Sequence, residues 1–332
     1  MNKIISSLLG LGVGIMLTSA PVQAQTYDDV TLRFSLNGTD VSVEARVINK
    51  FTELVKEASG GKIKIQSFPN AQLAGGNLAK SVEIATMGTV DLACWSQSVV
   101  ASLDNGLFAV LLPWVFSDYA QAEEVYNSTA GDYITKALGK HGLTYITFAH
   151  NGIKAMTNSK RLIKKPDDLK NMKIRVSGGA LNMDFYSAFG ADPIAMSWSE
   201  VYTALQQGTV DGHDNSLVTI KSANIQEVQK YMTISKHMYD AFLFAASTDR
   251  FAKLNKDSQE LIKAKLSEAA AIVRKEFVEE ESGVRKEFEA QGVEFYEFTP
   301  EDTATFKAVA QPVIDKYKVQ YGEEACKAFG IK

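Results

Sequence analysis

PDDLKNMKIRVSGGALNMDFYSAFGADPIAMSWSEVYTALQQGTVDGHDN, from Pro166 to Asn215, decides the fold of this chain. Lys173, Ile174, Arg175 and Val176 alternate as a strand and run into the loop Ser177-Gly178-Gly179. A helical stretch and the turn Gly190-Ala191-Asp192-Pro193 follow. Ser197-Trp198-Ser199-Glu200 then opens a second helix that stops at Gly208. On the strand, Lys173, Arg175 and Ser177 face away from Ile174 and Val176. An arginine at a strand end, beside a glycine-rich loop and a helix start, can grip both oxygens of a small anion with its planar fork. The alternative for Arg175 is a solvated side chain on a polar strand face.

Outward from this block, strands and helices alternate. Thr31 to Leu36 and Lys62 to Phe68 read as strands, and Glu44 to Ala58 as an amphipathic helix with Val47, Ile48, Phe51, Leu54 and Val55 on one face. Such alternation predicts an α/β architecture, a sheet covered by helices. A short echo suggests two similar halves. Ser81–Met87 leads into Gly88-Thr89-Val90-Asp91, and Ser199–Gln207 leads into Gly208-Thr209-Val210-Asp211. Both read as a helix, a left-handed glycine cap and a strand. From Asp257 to Gln291 the chain has no proline and one glycine, Gly283, with Leu266, Val273, Phe277, Val284 and Phe288 at helical spacing. One unbroken helix of about 50 Å is expected there, with a break at Ser282-Gly283 as the alternative.

The start of the chain reads as a secretory signal peptide over residues 1–24: Lys3, an apolar run from Ile4 to Leu17, then Val22-Gln23-Ala24 before cleavage near Ala24/Gln25. About 308 residues would remain, a length that suits two domains. The whole chain carries a formal net charge of −4, or −5 without Lys3. That balance argues against nucleic acid as a partner, so any anion must be held by a local positive site. Leu107 to Phe116, the longest later apolar run, contains Pro113 and is too short to span a membrane. Cys94 and Cys326 could bridge in an oxidising compartment or stay as two free thiols, with Cys94 buried in a strand. His141, His150, His213 and His237 show no metal-ligand spacing, and no nucleophile-elbow or nucleotide-binding signature follows the leader.

The block resembles the signature of the DctP-type solute-binding proteins of TRAP (tripartite ATP-independent periplasmic) transporters. Leu169 to Val176 is similar to that family's LKGLKIRV-type segment. Gly190–Pro193, Trp198–Tyr202, Ala204–Gly208, Val210–Gly212 and Asn215 match in order, and Phe68–Leu73 and Leu112–Phe116 are weaker echoes. The resemblance implies a two-lobed periplasmic binding protein fold (type II-like), with the long C-terminal helix spanning both lobes. Lobe I would comprise 25–150 plus about 241–280, and lobe II 151–240 plus about 281–332. Interdomain hinges would fall near His150-Asn151, near Tyr239-Asp240 and around Glu276–Gly283.

It further implies that Arg175 pairs with a substrate carboxylate and that the Asn215 amide hydrogen-bonds the ligand. Lys154 stands where the family often has a second arginine, and His213 is a departure that adds a titratable group. Trp198 belongs either over the ligand or in the core. Trp95 and Gln97, with Asn37 as a weaker member, are expected on the opposite wall. Binding a small organic acid and delivering it to the small and large membrane subunits of a TRAP permease would be the whole task, in the periplasm, as a monomer and with no cofactor. A small sulfonate is the alternative ligand. A periplasmic enzyme using His213-Asp214, or a ligand sensor, are the alternatives of other classes.

Overall fold

The computed structural model describes residues 25–331, so the leader expected at 1–24 lies outside the described residues. Eleven strands form two sheets: β1 (Val30–Leu36), β2 (Ile63–Phe68), β3 (Leu92–Ser96), β4 (Leu143–Ile153), β5 (Ala155–Asn158), β6 (Lys173–Val176), β7 (Asp192–Ala195), β8 (Gly212–Asn215), β9 (Tyr231–Ile234), β10 (Tyr239–Ser247) and β11 (Glu294–Glu297). The first sheet has the order β2-β1-β3-β10-β4, and the second β11-β9-β5-β8-β6-β7. Pairs β1/β2, β1/β3, β6/β7 and β6/β8 are parallel. Strand β10 runs antiparallel between β3 and β4, and β5 antiparallel between β8 and β9. The halves are therefore built alike, and the first takes its antiparallel inner strand, β10, from beyond most of the second half.

Local sequence explains the elements. The helix Val43–Ala58 starts where the Ser42 hydroxyl accepts from the Ala45 N–H, and it lays Val47, Ile48, Phe51 and Val55 onto Leu32, Phe34 and Leu36 of β1. The four-residue echo does the same work twice. Gly88 and Gly208 take φ of +71° and +72°, ending their helices in the left-handed conformation. Thr89 N then donates to Ile84 O at 2.8 Å, and Thr209 N to Ala204 O at 2.9 Å. Each aspartate staples the turn to the neighbouring strand: Asp91 accepts from Arg33 N at 2.8 Å, and Asp211 from Lys173 N at 2.9 Å.

The long helix runs unbroken from Lys256 to Ala290, 35 residues, straight through Ser282-Gly283. It buries Ile262, Leu266, Ala269, Val273 and Phe277 along the helix Val43–Ala58 and β4, and then passes the short helix Leu217–Ser222. The chain changes sheet at Lys154, between β4 and β5, and again at residues 235–238, a few positions from the expected crossings. Gly152, at the first crossing, has φ +108°. A Cβ there would lie 2.5 Å from Ser216 Cβ and 2.8 Å from Phe277 Cζ, so only glycine lets these segments meet.

One boundary needs correction. The tail was expected to stay with lobe II, but only its first part does: Phe306 and Ala310 pack with Phe185 and Phe189 of that half. Tyr317, Tyr321, Cys326 and Phe329 return to the first half's core, and the last helix, Glu323–Ala328, rests on the helix Thr129–Gly139. The apolar Cys326 and Phe329 find their burial there. Cys94 lies in a different core, and both thiols are free.

Candidate functional site

A cavity opens between the sheets, at the carboxyl ends of the parallel strands, where α/β sheets generally place ligands. Counting the open solvent at its mouth, the space amounts to about 590 Å³. One wall comes from the first half: Asn37 and Gly38 after β1, Ser42 and Glu44 at the next helix start, and Ser96 at the end of β3. The other comes from the second half: Arg175, Ser177, Trp198, Asp214 and Asn215. Asn151, Lys154 and Asp240 of the crossing strands form the floor. The rims touch where Ser177 Oγ donates to Ser98 Oγ at 3.2 Å.

Arg175 is only 4% exposed. Its Nε and Nη2 both donate to Met196 O, at 3.0 and 2.7 Å, which fixes the guanidinium plane. Its Cζ lies 5.5 Å from the centroid of Trp198, which covers it as an aromatic lid. Among the described residues no carboxylate comes within ion-pair distance of Arg175, and Nη1 has no protein partner. Burial brings its pKa down from 12.5 to about 10, even though Asp214 and Glu200 pull the other way. Arg175 is thus a buried cation held by one carbonyl, with no carboxylate in contact to match its charge.

Lys154 differs in kind. Its ammonium lies 3.1 Å from Asp214 Oδ1, both groups nearly fully buried. Asp214 Oδ2 also accepts from Tyr186 Oη at 2.9 Å and lies 3.1 Å from His237 Nε2, whose Nδ1 meets Ser235 Oγ at 2.7 Å. Burial opposes ionisation of Asp214, but Lys154 and His237 overcome it and hold the carboxyl well below the usual range. The charge of Lys154 is thus already matched. Asp240, in the floor, accepts from Ser96, Ser98 and Asn151 side chains and from Ala241 N, and burial pushes its pKa up despite Lys154 nearby. Asn215 turns its Oδ1 back to Ser216 N at 3.0 Å, which leaves its amide NH₂ toward the cavity.

Three expected wall residues lie elsewhere. Trp95 is 1% exposed, on the opposite face of β3, among Val90, Phe148 and Leu243. Gln97 turns inward, donating to Leu107 O at 2.8 Å and accepting from Tyr126 Oη. His213 alternates to the far side of β8 from Asp214. It meets Thr157 Oγ1 at 2.7 Å and sits behind Trp198, and burial, with Arg175 beside it, brings its pKa down to about 3. Alternation separates what adjacency in sequence suggested. Glu44 and Ser96 went unread, and Asn151 and Asp240 were read as hinges and not as cavity residues. Glu44 had a signal: it precedes Val47, Ile48 and Phe51 at helical spacing, so an acid sits on the buried stripe.

The fold and sequence have counterparts among known proteins. The family model for the bacterial extracellular solute-binding proteins, family 7 (DctP), matches residues 34–320. The chain belongs to that family. A solute-binding protein of Verminephrobacter eiseniae is 32% identical over 306 residues, covering 92% of this chain and 89% of its own. Among solved DctP-like structures, a TRAP periplasmic solute-binding protein from Ralstonia eutropha with bound (S)-2-acetolactate superposes with TM-score 0.85 at 28% identity, covering 90% of this chain and 98% of its own. A sugar-acid-binding protein from Advenella mimigardefordensis in complex with galactonate gives 0.86 at 28% identity, covering 91% and 97%. The two-lobed binding-protein fold with its spanning helix is shared.

Proposed function

We propose that this protein is the extracytoplasmic receptor of a TRAP transporter. It binds a small organic-acid anion between its lobes and hands it to the membrane subunits of the permease. The observation that carries the reading is Arg175, a buried guanidinium with a free edge toward the cavity and no carboxylate of its own. A ligand carboxylate there gains a charge-assisted pair, with the Asn215 amide beside it. Closing the lobes excludes water and strengthens that pair. The ligands named for the two structural relatives are both carboxylates, which favours a carboxylic acid over the sulfonate alternative. An enzymatic reading would need His213 and Asp214 to work together, and they point to opposite sides of β8, each already satisfied or buried. Export to the periplasm follows from the leader read in residues 1–24.

The test is a thermal-shift screen of organic acids and sulfonates, repeated on Arg175→Ala. A true ligand at a hundred times its dissociation constant stabilises by ~2.7 kcal/mol. The expected result is stabilisation by one or more carboxylates in the wild type and none in the variant. Stabilisation that persists in Arg175→Ala would remove the anchor, and turnover of the bound acid would replace the receptor by an enzyme.

A further inference from the structure

The wall opposite Arg175 holds an amide with no partner and an acid with no cation. Asn37 is 8% exposed and lines the cavity, yet neither its Nδ2 nor its Oδ1 has a protein hydrogen-bond partner. Buried amides left this way are costly and call for something that both donates and accepts. Beside it, Glu44 is 3% exposed and lines the same cavity, with no lysine, arginine or histidine of the described residues within ion-pair distance. Its carboxyl is seated over Gly38, where a Cβ would fall 2.1 Å from Glu44 Oε1. Burial brings its pKa up to about 7, against the Glu44 and Gly38 backbone and the Ser42 hydroxyl, which lower it.

We propose that Asn37 and Glu44 form a hydroxyl-reading subsite that makes the receptor selective for polyhydroxylated monocarboxylates, acids of the aldonate type, over dicarboxylates. The proposal rests on Arg175 as the carboxylate anchor. Of two neighbouring hydroxyls, one can donate to Glu44 while accepting from Asn37 Nδ2, and the other can donate to Asn37 Oδ1. A second carboxylate cannot donate to either, and it would bring a second negative charge to a wall that holds an acid and no cation. The other cation of the cavity, Lys154, is matched by Asp214. Like charge across a desolvated contact is strongly disfavoured.

Three four-carbon acids separate the contributions: butyrate reports the anchor alone, succinate adds a second carboxylate, and D-erythronate adds hydroxyls. Calorimetry at pH 7.5 on the wild type should give erythronate binding roughly a hundredfold tighter than succinate. Glu44→Gln keeps the shape and removes the charge, so it should shrink that ratio at least tenfold, while butyrate affinity stays put. Gly38→Ala, whose Cβ would displace both the Glu44 carboxyl and the Ser42 cap, should, in a protein of normal melting temperature, weaken erythronate and spare butyrate. Succinate matching or exceeding erythronate in the wild type overturns the proposal. So does a ratio that Glu44→Gln leaves unchanged in a protein of normal melting temperature. If butyrate, succinate and erythronate bind alike, the subsite falls and the anchor stands. If the wild type binds no carboxylate and a wider panel gives none, the anchor falls and the subsite with it.

Discussion

Replacing Arg175 by methionine should separate stability from binding. In the ligand-free protein two effects oppose. Burial takes the guanidinium from 12.5 to about 10, and at ~1.36 kcal/mol per pH unit its charge costs roughly 3 kcal/mol. At pH 7, below both values, that cost is fully present, and Arg175→Met removes it. Against this, the Met196 carbonyl loses both of its side-chain donors, and an orphaned buried acceptor costs ~1–3 kcal/mol. The contact of the buried guanidinium with Trp198 is lost as well, worth ~2 kcal/mol when desolvated. The ligand-free variant should therefore unfold in urea within about 2 kcal/mol of the wild type. Binding should suffer far more. A carboxylate left without its buried partner loses ~3–5 kcal/mol, a hundred- to several-thousand-fold in affinity. The assay is calorimetry with the tightest acid from the screen. Affinity within tenfold of wild type would refute the anchor, and a loss of more than ~4 kcal/mol in ligand-free stability would make Arg175 a structural residue instead.

Three further outcomes are expected. Lys154→Met leaves Asp214 charged and buried with only Tyr186 and His237 around it, so denaturant unfolding should show a loss of ~3–5 kcal/mol; a change under 1 kcal/mol would mean the pair is idle. His213 stays neutral in the folded protein down to about 3, whereas the unfolded imidazole protonates near ~6.5. Between those values the unfolded chain binds more protons, so stability falls as the pH falls. The gap between wild type and His213→Gln should change by roughly 3 kcal/mol from pH 7 to pH 4.5 in the variant's favour, and parallel profiles would contradict the burial argument. Finally, the two walls are joined at Gly152–Lys154, at residues 235–238 and along the long helix, so small-angle scattering should show a smaller radius of gyration with ligand bound. An unchanged profile at saturation would mean a rigid cleft.

The sequence carried the architecture well because the signals were local. Alternation marked the strands, the glycine caps at Gly88 and Gly208 marked the repeated joints, and uninterrupted 3.6-residue spacing marked the long helix. The second wall of the cavity was legible through the family resemblance, which singled out Arg175 and Asn215 and left Trp198 open between lid and core. The first wall was harder. Strand β3 is buried on both faces, with Leu92, Ala93, Cys94 and Trp95 all inaccessible, so no pattern of polarity told which side met the cavity. Trp95 and Gln97 were placed by position, and position alone chose the wrong face. His213 and Asp214 failed differently. Adjacent residues on a strand point apart, and which one faces inward depends on the register with β5, set by residues far away.

The borrowed strand β10 fixes the order in which this molecule can assemble. It lies between β3 and β4, yet it is made of Tyr239–Ser247, nearly a hundred residues after β4 begins. Until that segment emerges, β4 has no neighbour in its sheet, and the first half remains an open edge. A chain that appears from its N-terminus, on a ribosome or through a translocation pore, cannot close its first half before most of its second half is made. Pairings so distant in sequence form slowly. In such a chain the first sheet gains its inner strand only after Ser247 has emerged.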